Sequence, residues 1–138
     1  MNNVRVVLDT NLLLSASLFK TSLARKAFDA VVTSESEIIL SKAVLEELTD
    51  VFNLLRFDRY VSVERRNQFL ADFLELVEMV EITKTIVDCR DPKDNKFLKL
   101  AISGYANYIL TNDKDLFVLN PYENITIATP IDFIATIH

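Results

Sequence analysis

The chain has 138 residues, half of them hydrophobic and a quarter charged, with a formal net charge of −5; this balance favours one globular domain over residues 1–138. The only glycine, Gly104, excludes a phosphate-binding P-loop and a Gly-x-Gly-x-x-Gly turn, and so a nucleotide cofactor held by either. A single histidine, His138, and a single cysteine, Cys89, argue against a Ser-His-Asp triad and exclude a cysteine-rich zinc site, which leaves carboxylates as the source of any chemistry.

In the first half of the chain, short apolar strands alternate with helices. The predicted elements are a strand at residues 4–8, a helix from about residue 12, a helix over about 22–32, a strand at Glu37–Leu40 and a helix with apolar residues from 44 to 55. Ser41 is a good N-cap, so we expect the second strand to end there and the next helix to begin.

The second half continues this alternation. The predicted elements are a helix over about 63–79, a third strand drawn from 80–82 and 85–87, a helix from about 91 to 106, a fourth strand at 108–111, a short helix at 115–119, a fifth strand at 125–128 and a last helix from about 130. Asp91 followed by Pro92 is typical of a helix start, because aspartate caps the first turn and proline fits the first helical position.

Strands without polar alternation, separated by helices, indicate a parallel sheet that is covered by helices on both faces. We therefore predict an α/β fold of the doubly wound class. Ligands of such sheets bind beyond the carboxyl ends of the strands, at the point where the strand order reverses. The residues that directly follow each strand are thus the candidates for function.

The sequence predicts no membrane association, because no segment reaches the roughly 18 apolar residues that a membrane span needs. Met1-Asn2-Asn3 lacks the basic start of a signal peptide, and Asp9 interrupts the apolar run that follows. We therefore expect a cytoplasmic protein, and the lone Cys89 fits a reducing compartment.

Acids follow two of the predicted strands. Asp9 comes directly after the first strand, and Asp113 follows the fourth. Each acid alone is explained as well by helix capping, for which aspartate is a preferred residue. Because the two strands are expected to be neighbours in the sheet, the pair together favours a functional site.

Helix geometry separates Glu47 from the adjacent Glu46. At about 100° per residue, the centre of the apolar stripe between residues 44 and 55 lies roughly 95° from Glu47 and roughly 165° from Glu46. Glu47 therefore borders the buried face, from which it can reach a cleft, whereas Glu46 faces solvent. We predict that Glu47 is the functional glutamate.

Aspartates recur at intervals of three at Asp88, Asp91 and Asp94. Asp91 is most simply a cap, and Asp94 would also complement the helix dipole. Asp94 nevertheless lies on the inner side of the helix, three residues before Phe97. Clustered carboxylates repel one another unless they bind a hard cation, and oxygen ligands suit Mg²⁺ or Mn²⁺ rather than zinc.

Four segments of the chain resemble the PIN-domain nucleases, especially the bacterial branch of toxin–antitoxin toxins. The segments are VVLDTNLLLSA (6–16), SKAVLEEL (41–48), DPKDNKFLKLA (91–101) and YILTNDKDL (108–116). They occur in the family's order and span most of the chain, and together they are more specific than any one alone. The resemblance implies a three-layer α/β/α sandwich with helices on both faces of a parallel five-stranded sheet.

The same resemblance implies that four acids coordinate Mg²⁺ or Mn²⁺ and hydrolyse RNA phosphodiester bonds. Carried over by position, the catalytic and metal-binding acids are Asp9, Glu47, Asp94 and Asp113. Resemblance and helix geometry thus select the same glutamate. In this hypothesis the cations activate water and stabilise the leaving oxygen, while Glu47 either binds metal or orients the water.

Supporting residues follow from the same motifs. Asn11, Ser15 and Thr111 match polar residues that orient ligands or water, and Asp115 matches an additional acid of some relatives. Asn112 stands where relatives often have glycine, but asparagine tolerates unusual backbone angles. The resemblance also implies a homodimer and an antitoxin protein as partners.

Binding of an RNA substrate would require local cations, because the chain as a whole is acidic. Arginines cluster before the long helix, and we predict RNA contacts for Arg56, Arg59, Arg65 and Arg66. The alternative is a solvated basic face without a ligand.

Two other functions are open at this point. One is a PIN-like module that has lost cleavage and acts in nucleic-acid binding or regulation, which divalent-metal affinity would distinguish. The other is a phosphotransfer receiver, also an acidic doubly wound domain. The receiver fits less well, because it would need adjacent acids after the first strand, where Asp9 is followed by Thr10 and Asn11.

Overall fold

The computed structural model describes residues 4–137, with side chains described through residue 136. Met1-Asn2-Asn3 and His138, on which the predictions about a signal peptide and a histidine triad drew, lie outside the described residues. Within the described range, no helix combines the length and the apolar character that crossing a membrane requires.

The strands and helices alternate along the chain as predicted. The strands are β1 Arg5–Leu8, β2 Glu37–Leu40, β3 Val77–Met79, β4 Tyr108–Leu110 and β5 Thr126–Ala128. The helices are α1 Thr10–Leu18, α2 Leu23–Thr33, α3 Lys42–Phe52, α4 Val63–Leu74, α5 Asn95–Ser103, α6 Lys114–Phe117 and α7 Pro130–Ile137. Short 3₁₀ turns at Leu55–Phe57 and Pro92–Asp94 precede α4 and α5.

The strands form one parallel sheet in the order β3-β2-β1-β4-β5, with β1 at its centre. Helices cover both faces, so the predicted three-layer α/β/α fold is confirmed. Val6, Val7 and Leu8 of β1 and Ile109 and Leu110 of β4 are at most 3% exposed. Such uninterrupted burial explains why these central strands lack polar alternation.

The strand order reverses between β1 and β4, because the chain builds outward from β1 on one side and from β4 on the other. The Asp9 N–H continues this pairing by donating to the Leu110 carbonyl at 3.1 Å. Asp9 and Thr111 therefore leave the sheet side by side at its carboxyl edge. This is the edge at which doubly wound sheets bind their ligands.

Helix starts also cluster near this edge. Asp9 caps α1 by accepting from the Asn11 N–H, and Asp113 caps α6 by accepting from the Asp115 N–H. Ser41 caps α3 as predicted, accepting from the Val44 N–H. Capping and a functional role are thus compatible for Asp9 and Asp113, because each cap uses only one carboxylate oxygen.

The prediction of the third strand is wrong. The helix ends at Leu74 rather than near residue 79, and the strand is Val77–Met79 rather than 80–82 and 85–87. The apolar residues of this edge strand continue the helical spacing of α4, while Glu78 and Met79 are exposed. Because no residue of this edge strand is fully buried, its sequence lacks the apolar run by which the central strands are recognised.

Arg66 contradicts its prediction as an RNA contact, because its side chain is fully buried. Its guanidinium donates to the carbonyls of Phe52 and Leu54, at 2.8 and 3.1 Å, and to that of Val61. It also pairs with Asp58 at 2.9 Å. Arg66 therefore fixes the connection between α3 and α4 and is unavailable to a ligand.

Candidate active site

Asp9 is the most enclosed acid at the carboxyl edge, with 6% of its surface exposed. One carboxylate oxygen accepts from the Asn11 N–H at 3.0 Å, and the other accepts from the Thr111 hydroxyl. Burial raises the pKa of Asp9, and the negative charges of Asp113 and Glu47 add to this effect. The two hydrogen bonds act in the opposite direction and hold the carboxylate in one orientation.

Thr111 connects the two strand ends through its hydroxyl. The group donates to Asp9 and accepts from the Asp113 N–H at 2.9 Å, and the residue is fully buried. Thr111 therefore sets the position of one acid directly and of the other through its backbone. These contacts place Thr111 beside Asp9 and Asp113, where the sequence predicted a residue that orients ligands or water.

Asp94 lies at the start of α5 without acting as its cap, since its side chain makes no capping hydrogen bond. Its Oδ2 atom is the buried side-chain oxygen without a partner among the described residues. Burial, the adjacent Asp113 carboxyl group and the charges of Asp91 and Asp9 together raise the pKa of Asp94 to about 7, with burial the largest cause. The raised pKa shows how strongly this position disfavours an unneutralised carboxylate.

Two further acids join Asp94. Oxygen atoms of Asp91, Asp94 and Asp115 all lie within 4.8 Å of one another. Asp91 also caps its turn by accepting from the Lys93 N–H at 3.0 Å, as the sequence predicted. Asp115 is paired with the exposed Arg90, whose Nε lies 2.8 Å from its carboxylate. The three-residue spacing was the sequence signal that placed Asp91 beside Asp94.

Glu47 is half-buried and Glu46 is exposed, in agreement with the helix geometry. The Lys96 ammonium donates to Oε1 of Glu47 at 2.7 Å, and the buried Thr10 hydroxyl donates to Oε2. Sequence reasoning missed Lys96 and Thr10, because their partner Glu47 lies far away along the chain. Only the packing of α5 against α3 brings the lysine to the glutamate.

A cleft of about 280 Å³ opens beside Asp9 and Asp113. The other lining residues are Asn11, Leu12, Ser15, Ala24 and Asn112. Asn11 and Ser15 thus share a cleft with the two acids, as expected of residues that would orient a ligand. Asp94 and Glu47 are connected to it through their interactions with Asp113 and Asp9 rather than by lining it.

The donor set fits a divalent cation. It consists of carboxylate, hydroxyl and amide oxygens, which are the ligands that Mg²⁺ and Mn²⁺ prefer. The protein supplies a cation to Glu47 and to Asp115, whereas the buried Oδ2 of Asp94 has no partner among the described residues. Asp9, Asp94 and Asp113 form no salt bridge with the described residues. A metal ion bound by these three acids would neutralise them.

The predicted RNA contacts lie in the segment between α3 and the first turn of α4. Arg56, Arg59 and Arg65 are exposed, unlike Arg66. The Arg56 guanidinium lies 5.1 Å from the centre of the Phe57 ring, and that of Arg59 lies 5.1 Å from the centre of the Tyr60 ring.

Known proteins are similar to this chain in sequence. The PIN domain family model matches residues 5–115. The chain is 29% identical over 140 residues to uncharacterized protein MJ1680 of Methanocaldococcus jannaschii, which covers 95% of this chain and 90% of that protein.

Three solved structures share the fold. The first is VapBC2 from Rickettsia felis, bound to a DNA fragment from its promoter. It has a TM-score of 0.62 at 16% identity, and the match covers 91% of this chain and 98% of that one. PAE2754 from Pyrobaculum aerophilum has a TM-score of 0.62 at 13% identity, covering 96% and 88%. DNA-bound VapBC from Salmonella typhimurium has a TM-score of 0.60 at 16% identity, covering 92% and 98%.

The raised pKa of Asp94 predicts a pH-dependent gain of stability in the Asp94→Asn variant. The carboxyl ionises at about 3.8 in the unfolded chain and about 7 in the metal-free folded protein, so between these values the native state retains a proton that the unfolded state has lost. The metal-free protein therefore loses stability as pH rises through this window. The asparagine variant, which has no such proton to lose, should gain stability relative to wild type from pH 4 to 7 and level off above.

Urea unfolding in EDTA at a series of pH values measures this difference. A stability difference between the variant and wild type that grows with pH would support a raised pKa at Asp94, caused first by burial and then by the neighbouring acids. A variant that is less stable than wild type by the same amount at every pH would indicate a helix-start role instead.

Proposed function

The chain belongs to the PIN domain family, and we propose that it is a divalent-metal-dependent ribonuclease that hydrolyses RNA phosphodiester bonds. Members of this family are nucleases in general and use divalent metals. The observation that carries the proposal is the buried Asp94 Oδ2, which lies without a partner beside other acids. An acid in this setting is stabilised by a cation that the described residues do not supply.

Asp9, Asp94 and Asp113 are the proposed ligands of Mg²⁺ or Mn²⁺. When bound, the cation would activate a water molecule and stabilise the negative charge that develops on the phosphate. Thr111 and the Asn11 N–H hold Asp9 in place, and Thr111 also binds the backbone of Asp113. Asn11 and Ser15 line the adjacent cleft, where they can orient the substrate or water.

A surface of exposed rings and cations extends from this cleft, and we assign RNA binding to it. Ser15 lines the cleft, and Phe19 follows one helical turn later, its N–H donating to the Ser15 carbonyl at 2.9 Å. The Phe19 ring contacts that of Tyr60 edge-on, with centres 5.3 Å apart, and Arg59 lies over Tyr60. Phe19 is 44% and Tyr60 50% exposed, so both rings are accessible to a ligand.

This basic-aromatic surface (Phe19, Arg56, Arg59 and Tyr60, with the half-buried Phe57 beneath Arg56) suits single-stranded RNA. Unpaired bases stack on exposed rings and guanidinium planes, and phosphates pair with the arginines. Bases in a duplex do not present their faces in this way. The surface provides the local cations that an acidic chain needs in order to bind RNA.

We further infer that the protein is the toxin of a toxin–antitoxin pair and acts as a homodimer in the cytoplasm. This inference is supported by the resemblance of its motifs to those of PIN-domain toxins. It is also supported by the similarity of its fold to the VapBC structures from Rickettsia felis and Salmonella typhimurium.

Cleavage of an end-labelled single-stranded RNA in the presence of Mn²⁺ tests the proposed activity. Wild type should cut, and EDTA should abolish cutting. Asp113→Asn should lower the rate by about a hundredfold or more, because it removes a proposed metal ligand. Glu46→Gln is the matched control, since it removes the same charge from an exposed position next to Glu47 and should cleave like wild type.

Cutting that persists in EDTA or in Asp113→Asn would contradict the proposed site. Absence of both cleavage and Mn²⁺ binding would favour the alternative, a PIN-like module that no longer cleaves.

Substitution of Tyr60 tests the RNA surface. Tyr60→Ala should raise KM for single-stranded RNA by roughly tenfold, because stacking of a base is worth about 1–3 kcal/mol, while kcat should change little. Tyr105→Ala is the control, since Tyr105 is 84% exposed and lies two residues beyond the end of α5. Equal effects of the two substitutions, or a loss confined to kcat, would contradict the assignment.

A further inference from the structure

We propose that Lys96 is a positioning residue that serves as the permanent counter-ion of Glu47 and thereby restricts the site to one divalent cation. The inference rests on the proposed metal-dependent function and concerns the role of Glu47 within it. In this account Glu47 is not a metal ligand. The Lys96 ammonium takes the place that a second cation would take beside this carboxylate.

Both carboxylate oxygens of Glu47 are engaged by the protein. Lys96 Nζ lies 2.7 Å from Oε1, and the Thr10 hydroxyl donates to Oε2. The Lys96 and Glu47 side chains are 25% and 26% exposed, so the ion pair is largely shielded from water. Thr10 is 3% exposed and directly follows Asp9, which fixes Glu47 to the same strand end as the proposed metal ligands.

Asp94 provides the contrast within the same site. Its Oδ2 is buried without a partner among the described residues, and its neighbours Asp91 and Asp115 bring more negative charge to within 4.8 Å. The carboxylate that needs a cation is thus Asp94, whereas Glu47 already has one.

Charge explains why the lysine limits the number of metal ions. A divalent cation bound at Glu47 would lie beside the ammonium, and two cations at such short range repel strongly in a shielded site. Lysine is a compact point charge on a flexible stem, so it can neutralise Glu47 without demanding a coordination geometry. Arg90 plays a comparable part at Asp115, although it is 80% exposed.

Calorimetric titration of the metal-free protein with Mn²⁺ tests the inference without relying on activity. Wild type should bind one Mn²⁺ per chain, and Lys96→Met should bind a second, weaker one because Glu47 is released. Lys96→Arg should stay at one, since it keeps the charge. Lys99→Met, on the same helix, removes an equal charge while leaving the ion pair of Glu47 intact and should also stay at one.

A second variant keeps the test decisive if Lys96→Met folds poorly. Glu47→Gln should retain one Mn²⁺ per chain with an affinity reduced by roughly 10–100-fold, as for a residue outside the ligand set. Asp94→Asn should lose measurable binding. The double variant Lys96→Met/Glu47→Gln should return to a single site.

Two Mn²⁺ ions bound to wild type would overturn the inference while leaving the proposed nuclease function standing. A loss of binding in Glu47→Gln equal to that in Asp94→Asn would do the same, because Glu47 would then be a ligand. Absence of Mn²⁺ binding to wild type would instead overturn the proposed function itself. The two failures are therefore distinguishable.

Discussion

Burial and mutual repulsion together destabilise the carboxylates at the carboxyl edge of this sheet, and most contacts around the site offset these costs. A pair of like charges 4 Å apart costs about 4 kcal/mol at an effective dielectric of 20. Asp9 is stabilised by hydrogen bonds, Glu47 by Lys96 and Asp115 by Arg90. Asp94 has a buried oxygen for which the described residues provide no such partner. The distribution of partners, rather than the number of acids, is the reason why we propose a metal ion at Asp94.

The fold supplies this arrangement through its strand order. β1 and β4 are neighbours at the reversal point, so Asp9 and Thr111 follow adjacent strand ends and the Thr111 hydroxyl links them. The residues that lead to these strand ends, 6–8 of β1 and 109–110 of β4, are buried, which makes the strand ends rigid supports. α5 packs over β1, β2 and β4 and carries Asp94 and Lys96 to the same edge. Asp9 and Asp94 therefore lie at the starts of α1 and α5, and Glu47 and Lys96 lie within α3 and α5.

Much of this could be predicted from the sequence, because the deciding patterns are local. Acids that follow apolar strands predicted Asp9 and Asp113 as site residues. The angular position on the helix separated Glu47 from Glu46. The edge strand β3 was mistaken for the end of α4, because its apolar residues continue the helical spacing and its other residues are exposed. Arg66 looked like a surface cation, because its burial depends on carbonyls that the fold gathers around it. The Lys96–Glu47 pair joins residues 49 apart, a contact that no local pattern indicates.

The location of a bound cation tests the central claim most directly. Anomalous diffraction from crystals soaked in Mn²⁺ would identify the ion and its ligands without reference to activity. The account predicts one peak, about 2.1 Å from carboxylate oxygens of Asp9, Asp94 and Asp113. The Lys96–Glu47 pair should be intact beside it. A peak that excludes Asp94, or no peak at this edge of the sheet, would contradict it.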